Sequence, residues 1–319
     1  MDGQILCVGD LNPDLVVPYG EMKRALRQDL PRPTAQLLPG GGMGNTVTAL
    51  GRMGLRPLIL GMVGNDSTGD MITADLQKNG VDTRFLRRQQ APAMAVVSVI
   101  EEDGEKVFFQ WFPPGGQDKA FTPADFSEPV LERCSLLHLN GMVVQDGGPS
   151  ARAVTEFCEL AAARGIPVSI DLNLRCAQYP LTPERRALLG RVLAVASHIL
   201  GSGAEEWCAL TPGRTKEQAA RRWATAQNTV VCRDGAQPVL LIDRLHESRH
   251  APPTVEVVSR NGAGDMFDAG YLARLAAGGT PREAVFHGLA VAAHAISHRQ
   301  PRSVPGPAEL AHLLACIDP

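Results

Sequence analysis

Close to the C-terminus, residues 261–265 read Asn-Gly-Ala-Gly-Asp and combine three small residues with a carboxylate. The segment follows a strand expected at residues 255–258 and precedes a helix expected at residues 266–277. Small residues at such a turn let backbone N–H groups converge on an anion, which the helix dipole also attracts. A carboxylate at Asp265, in the first helical turn, can accept a proton from an attacking hydroxyl. The segment predicts an anion hole and a base for phosphoryl transfer, with a tight turn capped by Asp265 as the alternative.

Two further groups of residues are suited to holding a small polar ligand. Residues 40–45 read Gly-Gly-Gly-Met-Gly-Asn. Glycines allow the backbone to approach a ligand closely, and Asn45 offers both a donor and an acceptor for hydroxyls. Asn12 and Asp14 follow the first expected strand, and ligands of open α/β sheets bind outside the carboxyl ends of the strands. For residues 40–45, a flexible surface loop is the alternative.

The elements that position these residues alternate between strand and helix. This alternation predicts a parallel sheet covered by helices on both faces. Residues 94–100 and 107–112 flank an Asp-Gly turn and predict an antiparallel hairpin, which residues 15–19 and 35–38 would join to form a small separate sheet. We expect strands at residues 5–8, 58–63, 136–139, 168–171, 198–200, 230–232 and 239–243, the last paired with 255–258, and helices at residues 45–53, 69–79, 151–164, 187–196 and 217–227.

Composition narrows the function classes. The chain has 319 residues and a formal net charge of −3, which does not favour binding to nucleic acid. Its 7 cysteines include no CxxC pair, which indicates reduced thiols in a cytoplasmic protein. The N-terminus lacks a basic, apolar leader, and no apolar run reaches the length of a membrane span, so we expect no membrane partner.

Several motifs in order along the chain make it resemble the ribokinase-like (PfkB) carbohydrate kinases. They are residues 9–14 (Gly-Asp-Leu-Asn-Pro-Asp), 40–45, 61–66 with Gly69, 80–83, 171–175 (Asp-Leu-Asn-Leu-Arg) and 261–265. The resemblance implies one domain over residues 1–319, folded as a three-layer α/β sandwich with a central, mostly parallel sheet. It also implies a β-sheet lid drawn from about residues 12–38 and 91–113, and a homodimer formed through that lid.

The resemblance further implies an ATP-dependent kinase acting on a hydroxyl of a sugar or sugar acid, with Mg²⁺ and, as a further candidate, a monovalent cation. Carried over by motif, Asp265 is the base, and Gly262, Ala263 and Gly264 form the anion hole. The substrate-binding residues would be Asn12, Asp14, Gly41, Gly42, Asn45 and Arg175. The nucleotide-binding residues would be Ser202, Glu205, Cys232, Asp234, Gly235 and Arg260, with Glu205 also acting indirectly on the metal.

The nucleotide side departs from the family pattern in three places. Ser259-Arg260 stands where Asp-Thr is usual, Ser202 replaces an asparagine in Asn-x-x-Glu, and residues 230–235 depart from Thr-x-Gly-x-x-Gly. These changes leave a second hypothesis open, a catalytically weak binding protein on the same fold. Aldoses or ketoses, sugar acids and nucleosides all remain candidate substrates. The aromatic residues at 108–112 would either stack on a substrate or form the core of a lid dimer.

Two other patterns are weaker candidates for a metal site. Residues 246–250 read His-Glu-Ser-Arg-His, a pattern that binds zinc when it lies on a helix. This run directly follows a strand and precedes Pro252-Pro253, so we expect a hairpin tip here and not a helix. His294 and His298 lie four residues apart with no carboxylate nearby in sequence, and we expect ordinary helix residues. The chain contains no P-loop motif and no Gly-x-Gly-x-x-Gly after the first strand.

Overall fold

Eight strands form the central sheet of the computed structural model, which describes residues 3–90, 95–100, 106–111, 121–145, 147–298 and 302–317. The spatial order is β14-β13-β12-β11-β10-β9-β1-β4, parallel from β4 to β12 and antiparallel for the last two strands. These strands are β1 (Gln4–Val8), β4 (Leu58–Leu60), β9 (Cys134–Asn140), β10 (Val168–Asp171), β11 (His198–Ser202), β12 (Thr229–Asp234), β13 (Gln237–Asp243) and β14 (His246–His250).

Four strands form a second sheet, called the lid sheet below. Its order is β3-β2-β7-β8, and strand β2 follows β1 after only three residues. The strands are β2 (Asn12–Val17), β3 (Gln36–Gly40), β7 (Ala95–Ile100) and β8 (Lys106–Trp111). The predicted hairpin and its two partner strands are therefore confirmed, while the Asp-Gly turn at 103–104 lies outside the described residues. Strands β5 (Met62–Gly64) and β6 (Arg87–Gln89) pair separately.

Helices cover both faces of the central sheet, as predicted. One face packs against the apolar sides of α5 to α8, and the other against α2, α3 and α9 to α11. The helices are α1 (Tyr19–Arg27), α2 (Gly42–Arg52), α3 (Ser67–Lys78), α4 (Glu128–Leu131), α5 (Pro149–Ala163), α6 (Pro183–Val195), α7 (Gly203–Leu210), α8 (Lys216–Trp223), α9 (Ala263–Ala276), α10 (Pro281–Ile296) and α11 (Pro307–Ala315). In the described part of the chain, no helix is long and apolar enough to cross a membrane.

Two strand predictions are wrong. Residues 255–258 form no strand, and β13 pairs with β14 instead. The prolines at 252 and 253 lack the N–H groups that a strand needs, and the amides of Val258 and Ser259 donate to the Ile296 carbonyl at 2.8 and 3.0 Å. The run 58–63 breaks at Gly61 into β4 and β5, which belong to different sheets. Helix α1 was not predicted; its sequence is mostly polar and buries only Gly20 and Ala25.

Helix α9, which carries the Asn-Gly-Ala-Gly-Asp motif, is fixed by close packing against α10. A Cβ atom at Gly270 would lie 2.5 Å from the His287 carbonyl oxygen, closer than any real contact. At Gly288, on the facing helix, a Cβ would lie 2.9 Å from the Phe267 ring. The two glycines let the helices approach closely and so set the position of the α9 N-terminus.

We predict that Gly270→Ala destabilises the protein by about 1–3 kcal/mol, because the added methyl group overpacks the α9–α10 contact. Gly190→Ala is the matched control: it lies inside helix α6 with open space around it, and should stabilise by about 0.5–1 kcal/mol. Urea unfolding of both variants measures the difference. Equal effects would show that the contact is not tight.

Candidate active site

A cavity of about 930 Å³ opens between the carboxyl ends of the central strands and the lid sheet. The body contributes Asp10, Asn173 and residues 259–262 to its walls, and the lid sheet contributes Ser98 and Gln110 among others. Of the predicted site residues, those lining the cavity are Asn12, Asp14, Gly41, Gly42, Asn45, Arg175, Arg260, Gly262 and Asp265. The structure therefore brings the predicted substrate residues and the predicted base into one space.

Asp10, at the end of β1, organises the substrate side of the cavity. Its carboxylate accepts from the amides of Gly42 and Met43 at 2.8 and 3.2 Å, and from the Asn140 side chain at 2.8 Å. It thereby pairs with the unsatisfied amides at the start of α2. Gly41 adopts φ +89, and a Cβ there would lie 2.5 Å from the Asp10 carbonyl, so glycine is required. The flexible-loop alternative for residues 40–45 is not what the structure shows.

Asp265 occupies the first turn of α9, directly after Gly262, which adopts the left-handed conformation at φ +73. Its Oδ2 accepts a hydrogen bond from the Asn45 side-chain amide at 2.7 Å. The hydroxyl of Thr46 donates to the Asp265 carbonyl at 3.2 Å, so helix α2 holds both ends of this residue. A Cβ at Gly42 would lie 3.4 Å from Oδ1 and 3.2 Å from the Asn173 amide nitrogen, so a residue without a side chain is what fits between these groups.

The surroundings of Asp265 raise its pKa to about 7. Burial is the main cause, and the negative charges of Asp10 and Asp171 add to it. The hydrogen bond from Asn45 and the charge of Arg175 act in the opposite direction. A carboxylate with a pKa near neutrality is suited to general base catalysis, because it is partly ionised and still binds a proton well.

The guanidinium of Arg233 is buried next to residues 262–264, the predicted anion hole, and was not predicted. Arg233, on β12, donates to Asp268 at 2.6 Å and to the Gly264 carbonyl at 3.2 Å, and it also pairs with Asp171 on β10. Burial opposes its charge, but the two carboxylates raise its pKa above the usual value. Arg233 thus ties the first turn of α9 to the ends of two strands of the central sheet.

Among the predicted nucleotide-binding residues, the motif assigns a role to Glu205, but the carboxylate that faces inward belongs to Glu206. Glu205 is exposed, and its carboxylate lies 3.4 Å from the Ala177 amide. Glu206 is the inward carboxylate: it accepts from the Ser202 amide at 2.6 Å, and burial together with Asp171 raises its pKa to about 8. Helix α7 begins at Gly203 after its N-cap residue Ser202, and Glu206 in its first turn reaches back to the Ser202 amide.

Of the remaining predicted nucleotide-binding residues, only Arg260 lines the cavity; Ser202, Cys232, Asp234 and Gly235 do not. Cys232 is buried in β12, where burial raises the pKa of its thiol to about 12. Asp234 pairs with Lys216, and Gly235 forms the exposed β12–β13 turn at φ +54. Arg260 is exposed at the cavity edge. The described structure thus places Ser202, Cys232, Asp234 and Gly235 near the ends of β11 and β12, apart from the substrate side.

The histidine patterns resolve differently from each other. Residues 246–250 form the second strand of a hairpin, β14, and not its tip as predicted; a strand cannot present two zinc ligands on a helical face. His294 does have a carboxylate partner, contrary to the prediction: Glu309, on α11, lies 2.7 Å from its Nδ1. The Nε2 of His294 contacts the Ser303 hydroxyl at 2.8 Å, and the ring stacks on His298. Sequence spacing could not reveal a partner that a separate helix supplies.

Sequence reasoning missed five residues at or beside the site: Asp10, Asn140, Glu206, Arg233 and Arg302. A charged residue inside the apolar run of β12 was an available signal for Arg233, and the paired glutamates were one for Glu206. Arg302 had no such signal, because it lies 257 positions from its partner Asn45.

Comparison with known proteins agrees with this geometry. A family model described as pfkB family carbohydrate kinase matches residues 2–307. The chain is 32% identical to aminoimidazole riboside kinase of Salmonella typhimurium over 237 residues, which cover 73% of this chain and 72% of that protein. It is 30% identical to fructokinase of Klebsiella pneumoniae over 288 residues, covering 88% and 87% of the two chains.

Solved structures show the same fold. The crystal structure of fructokinase with bound ATP from Xylella fastidiosa superposes with a TM-score of 0.81 at 24% identity, covering 99% of both chains. The central, mostly parallel sheet and the small separate sheet are features of ribokinase-like kinases, so the predicted fold class is confirmed.

The raised pKa of Asp265 predicts a pH-dependent stability effect. Charging a group whose pKa is raised in the folded state costs folding free energy, so the penalty is absent below pH 3.8 and complete above about pH 7. We expect Asp265→Asn to increase the free energy of unfolding by about 2–4 kcal/mol at pH 8. The gain should shrink steadily towards pH 4.5. Urea titrations across this range measure it, and a gain independent of pH would contradict the assignment.

Proposed function

Because the chain belongs to the pfkB family of carbohydrate kinases, we propose that it transfers the γ-phosphoryl group of ATP to a hydroxyl of a small sugar or sugar-like molecule, with Asp265 as the base. That the chain is a sugar kinase follows from the family and its relatives. The observation that supports the base is the position of Asp265 in the cavity wall at the N-terminus of α9, with Oδ2 hydrogen-bonded and Oδ1 accepting no hydrogen bond within the described residues.

In the proposed reaction, the acceptor hydroxyl attacks the γ-phosphorus and gives its proton to Asp265, while ADP leaves. The charge on the transferring group would be stabilised by the first amides of α9, at Ala263 and Gly264, which have no acceptor within the helix. The helix dipole adds to this effect. Since Arg233 holds the Gly264 carbonyl, these amides need little reorganisation during the reaction.

Mg²⁺ accompanies ATP in this proposal, and the residues present fit it. Glu206 and Asp171 are two hard oxygen donors whose like charges are close enough to raise the pKa of Glu206. A divalent cation would relieve that repulsion, so we assign the metal-side role to Glu206 and not to Glu205. When bound, the ion neutralises charge on the phosphates. The monovalent cation stays a prediction.

The acceptor lies against Asn12, Asp14 and the backbone of Gly41 and Gly42 in this proposal. A carboxylate and an amide beside bare backbone suit a ring with several hydroxyls. Relatives named for a riboside and for fructose suggest a furanose-sized acceptor. Arg175 at the cavity wall would also accommodate a sugar acid. The Gln110 side chain bonds to the Tyr179 hydroxyl, so a lid strand already reaches the body across the cavity.

Activity would be tested by ADP release with Mg-ATP over a panel of sugars, ribosides and sugar acids. We expect turnover with at least one acceptor, and a loss of about 100-fold or more in kcat/KM for Asp265→Asn, because the hydroxyl loses its base. The wild-type kcat/KM should rise with pH to a plateau above about pH 7, as Asp265 ionises.

Asp70→Asn, at an exposed carboxylate of α3, is the control and should behave as the wild type. An Asp265→Asn enzyme within a few-fold of wild type would refute the base. Stabilisation by a sugar without any ADP release would instead favour the binding-protein hypothesis.

We also propose that two copies associate through the lid sheet. Val107, Phe109 and Trp111 alternate along β8 on one face, and each remains about half exposed, at 50, 49 and 49%. Strand β8 forms an edge of the lid sheet among the described strands, so its backbone is available for pairing. Apolar side chains on such an edge are typical of an interface.

Phe109→Glu should therefore shift the protein from dimer to monomer in size-exclusion chromatography with light scattering, towards the monomer mass of 34.1 kDa. Leu245→Lys replaces an equally exposed apolar residue at the β13–β14 turn and should leave the mass unchanged. A monomeric wild type at tens of micromolar would overturn this proposal.

A further inference from the structure

Arg302 joins three separate parts of the chain beside the cavity. Its guanidinium donates to Asn45 of helix α2 and to Asp75 of helix α3, both at 2.7 Å, and it also bonds to the Pro39 carbonyl of lid strand β3. The side chain is 7% exposed, and Asp75 supplies the opposite charge. These contacts join the lid strand and two body helices through one buried cation.

The contact with Asn45 determines which way that amide faces. A guanidinium has N–H donors and no acceptor, so only the Asn45 oxygen can face it. The amide nitrogen is therefore directed the other way, where it donates to Oδ2 of Asp265 at 2.7 Å. Reversing the amide would set N–H groups against the guanidinium and an oxygen against a carboxylate. Arg302 thus directs the side-chain N–H of Asn45 towards Asp265, the predicted base.

This arrangement distinguishes the two oxygens of Asp265. Oδ2 is occupied by the Asn45 donor, while Oδ1 accepts no hydrogen bond within the described residues and faces the side of Gly42, where a Cβ would lie 3.4 Å away. Asn173 lies on the same side, since a Cβ at Gly42 would be 3.2 Å from its amide nitrogen. An acceptor hydroxyl in the cavity would therefore meet Oδ1.

We propose that Arg302 is a positioning residue for phosphoryl transfer: acting through Asn45, it holds Oδ2 of Asp265 in a hydrogen bond and leaves Oδ1 as the proton acceptor. The inference rests on the proposed function of Asp265 as the base. Because the same guanidinium bonds to Pro39, the orientation of the base depends on the position of the lid strand that pairs with Asn12 and Asp14.

The backbone of Arg302 supports a functional placement. Its φ is +61, a left-handed conformation that is uncommon for a residue other than glycine. Such conformations persist where surrounding contacts determine them, and they cluster at functional sites. The side-chain contacts with Asn45, Asp75 and Pro39 are what hold this residue.

The test compares Arg302→Lys with Arg302→Gln. Both shorten the side chain and lose part of the fork, but lysine only donates whereas glutamine can also accept. With glutamine the Asn45 amide is free to turn, and its hydrogen bond, which lowers the pKa of Asp265, is lost for part of the time. We expect the acid limb of kcat/KM to move up by about one pH unit in Arg302→Gln and to stay near the wild-type position in Arg302→Lys.

At pH 7 we expect kcat to fall about 5-fold in Arg302→Gln and to recover at pH 9, with the KM for ATP changed less than about 3-fold. Lys78→Gln is the control for charge: it removes an exposed cation from the last turn of α3, the helix that carries Asp75, and should not move the acid limb. A role in folding alone would lower activity equally at every pH and in both Arg302 variants, and that result would overturn the proposal.

A second readout needs no turnover. The stabilisation of Asp265→Asn, measured against pH by urea unfolding, reports the Asp265 pKa in each background. It should extend to higher pH in Arg302→Gln than in Arg302→Lys, and identical curves would overturn the inference. If Asp265→Asn retains activity, the proposed base fails; if it is inactive while the Arg302 curves coincide, only the role of Arg302 fails.

Discussion

The buried pairing of Arg233 with Asp171 and Asp268 is the constraint on which the rest of the site depends. These charges come from strands β12 and β10 and from helix α9, and they join at the point where the parallel strands end. Removing one partner of such a cluster leaves a buried charge without compensation, which is far costlier than losing a surface ion pair. Arg233 therefore holds the first turn of α9 in one position, and with it the predicted anion hole and the proposed base.

Around this anchor the site places several acidic groups close together. Asp10, Asp171, Glu206 and Asp265 all lie near the strand ends, and only part of their charge is balanced by Arg233 and Arg175. The consequence is a raised pKa for three carboxyl groups, those of Asp265, Glu206 and Asp268. Like-charge repulsion and burial are what keep a carboxyl group able to bind protons near neutral pH. The same repulsion would favour the binding of a cation beside Glu206 and Asp171.

Sequence patterns predicted the layers of the fold well, because buried parallel strands and amphipathic helices leave strong local signals. That Asp265, Asn45 and Asp14 would lie close together was predicted for the same reason, since each lies in a short motif at a strand end or helix start. The strand predicted at 255–258 is absent: the prediction relied on the valines there and neglected the two prolines that precede them. Glu206 was missed because one residue of helix register decides which glutamate faces inward. Arg302 and Glu309 act across long sequence separations, which local patterns do not encode.

The lid sheet supplies the outer wall of the cavity from β2, β3, β7 and β8, whereas the proposed base and the predicted anion hole belong to the body. The proposed acceptor contacts come from both parts, since Asn12 and Asp14 lie on β2 while Gly41, Gly42 and Arg175 belong to the body. A change of acceptor could arise by substituting outward strands such as β7 and β8, leaving the α9 turn intact. To change the acceptor by engineering, β7 and β8 are the strands to replace. Strand β3 should be kept, because its Pro39 carbonyl accepts a hydrogen bond from Arg302.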